Sequence, residues 1–238
     1  MMDIVLGNIP GFELLSIPGE STEINQAFQN LTPTGGLQTL PIAPETWEML
    51  STDTNDSSSG AGARTVAVVS LDENHVEQTT LVSLNGTTPV TLGGTHLRSR
   101  DTTVVSAGSD PGNTNIGDLI VRVSGGGTER LKIPAGVGDC KSLIFTIPAN
   151  KTAFVQNLVI FCQKNRDGTI RPRITPFGGA TIESAFISTF QNGQSVPISA
   201  PIRLEEKTDI TVDAISNNAN TRCLVFFAML LVDNEKLT

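Results

Sequence analysis

Clusters of turn residues punctuate this chain at short intervals, and between them apolar residues recur at every second position. "DENH" (Asp72–His75), "NGTT" (Asn85–Thr88), "GSDPGNTNIG" (Gly108–Gly117) and "SGGG" (Ser124–Gly127) are the clearest breaks. They separate "TVAVVSL", "VEQTTLVSL", "HLRSRDTTVVSA", "DLIVRVS" and "TERLKIP". Period-two patterning marks strands with one buried face, and breaks every roughly 8–12 residues mark a sandwich or barrel. Asn-Gly is a strong short hairpin signal because both residues tolerate positive φ. The short Gly125–Gly127 turn predicts that its flanking strands are antiparallel neighbours.

A second set of strands begins near Gly136 with "KSLIFTIP", "NKTAFVQNLVIFCQKN" and "DGTIRPRITPF". "TIESAFISTF", "SVPISAPIRL", "TDITVDAIS" and "TRCLVFFAMLLVD" follow. "AFVQNLVIFC" and "CLVFFAMLLV" are nearly continuous apolar runs, which implies central strands covered on both sides or strands at a subunit contact. Pro172 and Pro176 in "RPRITP" suggest an edge strand. Before all this, Pro and Gly recur every few residues in "IPGFELLSIPGE", "TPTGG" and "LPIAPETW", which argues against long helices and central strands. "TEINQAF" reads as one helical turn after a Thr cap, or as nothing regular. Trp47, the only tryptophan, reads as the anchor of this arm on the first globular part.

The expected fold class is therefore all-β: two antiparallel β-sandwich (jelly-roll-like) domains preceded by an extended N-terminal arm. The expected boundaries are 1–46 for the acidic arm, 47–136 for the first sandwich and 137–238 for the second.

Charge narrows the partners. All of the net charge of −8 falls in the first quarter, where eight carboxylates precede Arg64, the first basic residue. An acidic segment without Lys or Arg is a poor match for nucleic acid, whose phosphates need basic contacts. It suits a basic protein surface, or is a solvated arm. No run approaches a membrane span of about 18 apolar residues. "MMDIVLGNIPGF" has no basic region and too short an apolar run for a signal peptide, which points to folding in a reducing cytoplasm.

No catalytic, cofactor-binding or metal-binding residues are expected. Cys140, Cys162 and Cys223 lack metal-ligand spacing and read as small apolar core residues. His75 and His96 read as ordinary surface or partly buried histidines, and no G-x-S-x-G elbow accompanies them. "DTNDSSSG" (Asp53–Gly60) begins like a calcium loop but has Arg64 where a bidentate Glu belongs, so it reads as a turn. "AGVGDCKS" lacks the phosphate-loop spacing, and matches to the glycosylation sequon read as chance. Glu205 and Glu206, read as strand neighbours, point to opposite faces and do not converge.

The ordered set "GAGARTVAVVSLDENHVEQTTLVSLNGTTPV", "LRSRDTTVVSAGSDPGNTNIGDLIVRVSGGGTERLKIPAGVG", "FTIPANKTAFVQNL" and "PIRLEEKTDITVDAISNNANT" resembles a group of virion structural proteins of tailed phages. "NIPGFELLSIPGE" resembles the start of that family, whereas "TPTGGLQTLPIAPETW" departs from it. The resemblance spans Gly7–Val232 and rests on the order and number of turn and strand residues. It implies a non-enzymatic virion protein assembled in the host cytoplasm. The place is the head, as a capsid decoration (cement) protein or head-fibre base, or else the tail or neck, as an adaptor or receptor-binding knob. A carbohydrate-binding module is a third reading, but without Tyr the aromatic platform is thin. The expected partners are a major capsid protein or tail proteins and two further copies in a homotrimer. The expected assembly contacts are Ile4, Leu6, Phe12, Leu14, Trp47, Phe226 and Phe227, with the strands around Lys151–Cys162 and Thr221–Val232 near the contacts or in the core.

Overall fold

A computed structural model describes residues 8–34, 38–163, 166–183, 187–190 and 194–237. In chain order the strands are β1 (Phe12–Ile24), β2 (Gln29–Asn30), β3 (Trp47–Ser51), β4 (Ala63–Leu71), β5 (Glu77–Ser83) and β6 (Val90–Thr91). They continue with β7 (Arg98–Ala107), β8 (Leu119–Val123), β9 (Glu129–Ile133), β10 (Ile144–Thr146), β11 (Lys151–Cys162) and β12 (Asp167–Thr175). The last are β13 (Ile182–Glu183), β14 (Ile187–Phe190), β15 (Gln194–Leu204), β16 (Asp209–Ile215) and β17 (Thr221–Asp233). Among the described residues there is one 3₁₀ turn (Asn234–Lys236) and no α-helix, and every strand pair is antiparallel. The all-β antiparallel expectation holds. "TEINQAF" ends β1 and forms no helical turn.

The chain forms two compact units, one contiguous (38–141) and one assembled from both sides of it. Neither boundary falls where the turn spacing placed it. The described residues 8–34 belong with those from 142 onward, so most of the segment expected to be an extended arm is part of a sandwich.

In the split unit, one sheet has the order β1-β17-β11-β15. The other has the order β10-β16-β12-β13, with β2 also on β16 and β14 also on β12. β2 and β10 are two halves of one strand position. Gln29 and Asn30 face Ala214 and Asp213, Leu31 N–H donates to the Val212 carbonyl, and Ile144–Thr146 then face Thr211–Asp209. The contiguous unit is thus inserted, in sequence, into the middle of a strand. Counting that position once, and β13 with β14 as another because both lie along β12, the eight strand positions pair first with eighth, second with seventh, third with sixth and fourth with fifth. That is the pairing of a jelly roll, a double ribbon wrapped into two sheets. Ile147, Val155, Ile160, Ile170, Val212, Val225 and Met229 lie in the core between them, all nearly inaccessible.

Proline sits on the edges of the first sheet. β1 carries Pro18, and β15 carries Pro197 and Pro201, where register slips opposite a bulge at Gln156. An edge strand tolerates proline because one row of its backbone groups needs no ladder partner. β12, expected as an edge from "RPRITP", is instead flanked on both sides. Its paired residues on the β13/β14 side are 167–170 and 173–174, so Pro172 falls where the described partners leave a gap. Gly19 is required where β1 passes the insertion point, since a Cβ there would lie 2.3 Å from the Leu143 Cβ.

The contiguous unit packs β6-β3-β8-β9 against β5-β4-β7 over Trp47, Met49, Val66, Val68, Leu119 and Val121. The Gly-rich turn joins β8 to β9 as antiparallel neighbours, as its length predicts. The Asn85-Gly86 turn closes no hairpin: β5 pairs with β4, whereas β6 pairs with β3 in the other sheet. Only Gly86 of the two has positive φ, at 60°, so this turn carries the chain between sheets.

Candidate functional site

The structure sorts the expected contact residues into different environments. Ile4 and Leu6 lie outside the described residues. Trp47 is 1% exposed, stacks on His96 with ring centroids 4.7 Å apart, and donates its indole N–H to Glu45. It is core of the contiguous unit, so its side chain is covered within its own chain. Phe227 points into the jelly-roll core. Phe12, Leu14 and Phe226 remain, and strand register brings them to one face.

That face is the outer side of the β1-β17-β11-β15 sheet. Leu14 faces Leu230, Leu230 faces Phe154, and Phe226 faces both Pro18 and Val159. Alternation puts Leu224, Phe226, Ala228 and Leu230 on the side opposite buried Cys223, Val225, Phe227 and Met229. Phe161 is 43% exposed and meets Phe226 edge to face at 6.4 Å. Both continuous apolar runs are therefore explained by central strands with a core face and an apolar, half-buried outer face. Glu20 and Arg222 close one end of it as an ion pair at 2.5 Å.

Two of the arm's carboxylates find bases within the same unit. Besides Glu20–Arg222, Glu13 lies 3.6 Å from Lys151. Farther along, Asn30 donates to the buried Asp213 carboxylate at 2.5 Å, which Arg171 holds at 2.7 Å and Arg173 approaches at 3.5 Å. Arg171 in turn sits 3.9 Å over the Phe28 ring. A segment tied at this many points is ordered by its own chain, so neither a foreign basic surface nor an assembly partner is needed to order it.

The titratable groups that resemble chemistry serve structure. Ser70 Oγ lies 2.8 Å from His96 Nδ1, the spacing of a nucleophile and its base, yet both residues have zero exposure and no substrate can reach them. His96 Nε2 has no hydrogen-bond partner, and burial holds the imidazole below its ordinary range, against the weaker opposite effect of the Gly93 carbonyl. His75, expected as a surface or partly buried histidine, is 5% exposed in the β4–β5 turn. Glu205 and Glu206 lie in the β15–β16 turn and not in a strand, Glu205 with Arg203 and Glu206 accepting from Asn150 N–H. All three cysteines are buried, as their apolar surroundings predict. No group of three or more His, Cys, Asp or Glu able to hold a metal occurs among the described residues. Among them, too, no helix is long and apolar enough to cross a membrane.

Besides Asp213, two further buried anions were not legible in the sequence. Asp56, inside "DTNDSSSG", has zero exposure. One oxygen accepts from Ala63 and Ile116 N–H at 2.8 and 2.9 Å, the other from Ser51 O–H and Gly117 N–H at 2.6 and 2.8 Å. The turn is plain in shape, as expected, but it exists to deliver this carboxylate. Glu48 accepts from Arg122 and from Gly125 and Gly126 N–H, which holds its carboxyl below the usual range. Both successive glycines have positive φ, 86° and 81°, so the "SGGG" turn aims two N–H groups at one anion.

No family model matches this chain, and no curated protein does. Solved structures that match at low similarity include the infectious bursal disease virus VP2 subviral particle, at 10% identity, 98% of this chain, 77% of that chain and a TM-score of 0.25. T=1 particles derived from the same virus match at 12% identity, 98% and 74% coverage and a TM-score of 0.25. An archaeal virus protein described as a triple jelly roll matches at 10% identity, 95% and 61% coverage and a TM-score of 0.19. Matches this distant assign neither fold nor function.

Proposed function

We propose that this chain is a non-enzymatic structural protein of a tailed-phage virion, sited on the head as a decoration protein or head-fibre base. The observation that carries the reading is the ordered resemblance to phage virion proteins, which runs through both units. Its segments fall on β4–β5, β7–β9, the β10–β11 turn and β15–β16, which are strands and turns of the scaffold and line no reactive site. Jelly rolls serve in viral capsids, lectins and cupins alike, so architecture agrees with this reading without choosing it. Phe12, Leu14 and Phe226 on the outer sheet face are the subunit contacts of a homotrimer in this reading, and the virion partner is the major capsid protein. Mass spectrometry and cryo-EM of purified particles test it. Density for this chain on the capsid surface is expected. Density confined to the tail or neck moves the protein to an adaptor or receptor-binding role, and absence from particles overturns the reading. Light scattering tests the trimer, which a stable monomer excludes.

A further inference from the structure

We propose that Cys162 and Cys223 form a latent cross-strand disulfide that joins β11 to β17 when the protein meets an oxidant. The two residues face each other in register. The next pair outward is hydrogen-bonded, with Gln163 N–H donating to the Arg222 carbonyl at 2.9 Å. Bonded and non-bonded pairs alternate along an antiparallel ladder, so Cys162 and Cys223 occupy a non-bonded pair. There, Cα atoms lie about 4.5 Å apart and side chains approach most closely, within the Cα range a disulfide spans. The sulfurs are 3.1 Å apart, so a shift of about 1 Å brings them to bonding distance.

The facing sheet is shaped for the pair. Gly168 of β12 lies opposite, and a Cβ there would stand 2.6 Å from the Cys162 sulfur and 3.3 Å from that of Cys223. Any larger residue would drive the sulfurs from their seat. The pair also sits at a strand end, since Cys162 is the last residue of β11. Fraying there admits an oxidant without opening the whole core.

The reaction is a two-electron oxidation. Two S–H bonds break, one S–S bond forms, and the two protons end on the reduced oxidant. Two electrons pass to an oxidant of the diazene or disulfide class, which is reduced to a hydrazine or to two thiols. The hydrogen bond with Cys162 and burial push the Cys223 thiol up, so thiolate is scarce and closure is slow at neutral pH. In a reducing cytoplasm both thiols stay reduced and the sheet can assemble. For a particle released into a medium that supplies disulfide oxidants the bond then locks the sheet. That consequence rests on the virion reading, whereas the bond does not.

The test is diamide treatment of the full-length protein at pH 7 and pH 8.5, followed by thiol titration after denaturation and a non-reducing peptide map. The expected thiol count falls from three to one, with Cys162 and Cys223 in one linked peptide pair, Cys140 still a thiol, no increase in molecular mass and faster closure at pH 8.5. Because the bond closes a loop with a 61-residue separation, Tm is expected to rise by about 5–10 °C and to fall back with dithiothreitol. C162S is expected to abolish the thiol loss. If that variant does not fold, the wild-type peptide map decides alone. Three thiols persisting at pH 8.5, a bond to Cys140 or a disulfide-linked dimer would overturn the proposal.

Discussion

The two units solve the same problem, closing two sheets over one core, with opposite kinds of contact. The contiguous unit is tied by buried carboxylates whose longer ties span 60–78 residues within one unbroken segment. Asp56 gathers Ser51 and Ala63 and reaches across to Ile116 and Gly117, and Glu48 holds the Gly125–Gly126 turn. The jelly roll is tied by its most distant parts: β1 pairs with β17 along 11 register positions, and Glu20 meets Arg222. All of these closures lie inside residues 38–141, so the contiguous unit should be autonomous. A fold whose first strand lies against its last cannot complete itself until the whole chain is present.

The largest effect should come from removing β1. Deletion of residues 1–24 leaves one side of β17 without a ladder and uncovers Val225, Phe227 and Met229, which are otherwise almost fully buried. The expected result is loss of the jelly-roll unfolding transition, while a fragment of residues 38–141 still melts cooperatively. Calorimetry and hydrogen exchange check both. A truncated chain that keeps both transitions would break the contrast.

Asp56→Ala should be next. It strands four donors in a closed site, and a buried charged acceptor with this many partners is worth about 3–5 kcal/mol. Urea unfolding should show the loss in the contiguous unit alone. Asp213→Ala should cost less, about 2–3 kcal/mol, because Arg171 keeps Phe28 and Glu183 as neighbours. Its loss should fall on the jelly roll and should loosen Asn30 and Phe28 with it.

The smallest effect is a pH dependence confined to the contiguous unit. His96 faces Ser70, Gln78 and the Trp47 ring, and the nearest carboxylate in that network, Glu45, is engaged by Arg130 and the indole. Its folded pKa lies below the unfolded value of about 6.5. Above that pH the ring is neutral in both states and stability is at its full value. As pH falls through 6.5 the unfolded chain takes up the proton first, so stability declines until the folded pKa is reached. Urea midpoints at pH 7 and pH 5 should differ for wild type and converge for His96→Asn.

Strand positions in both units were legible because period-two burial needs only local patterning. β4, β5, β7, β8 and β9 match the alternating segments closely, and so do β11, β12, β15, β16 and β17. Turn chemistry was legible as well, down to the Gly-rich connection of β8 to β9. Three things were not. The partner of each strand depends on contacts between residues up to 220 positions apart, such as Phe12 and Val232, and no window of sequence contains both. That is why β1 read as an arm and why "RPRITP" read as an edge. The burial of Asp56 and Asp213 was hidden because a carboxylate looks solvated until its donors are assembled around it, and those donors come from distant segments. The meeting of Cys162 and Cys223 was hidden for the same reason. Local chemistry decides which residues become strands and where the chain turns. Only the closing of the ribbon on itself decides which faces become core, which become edge, and which polar groups are sealed inside.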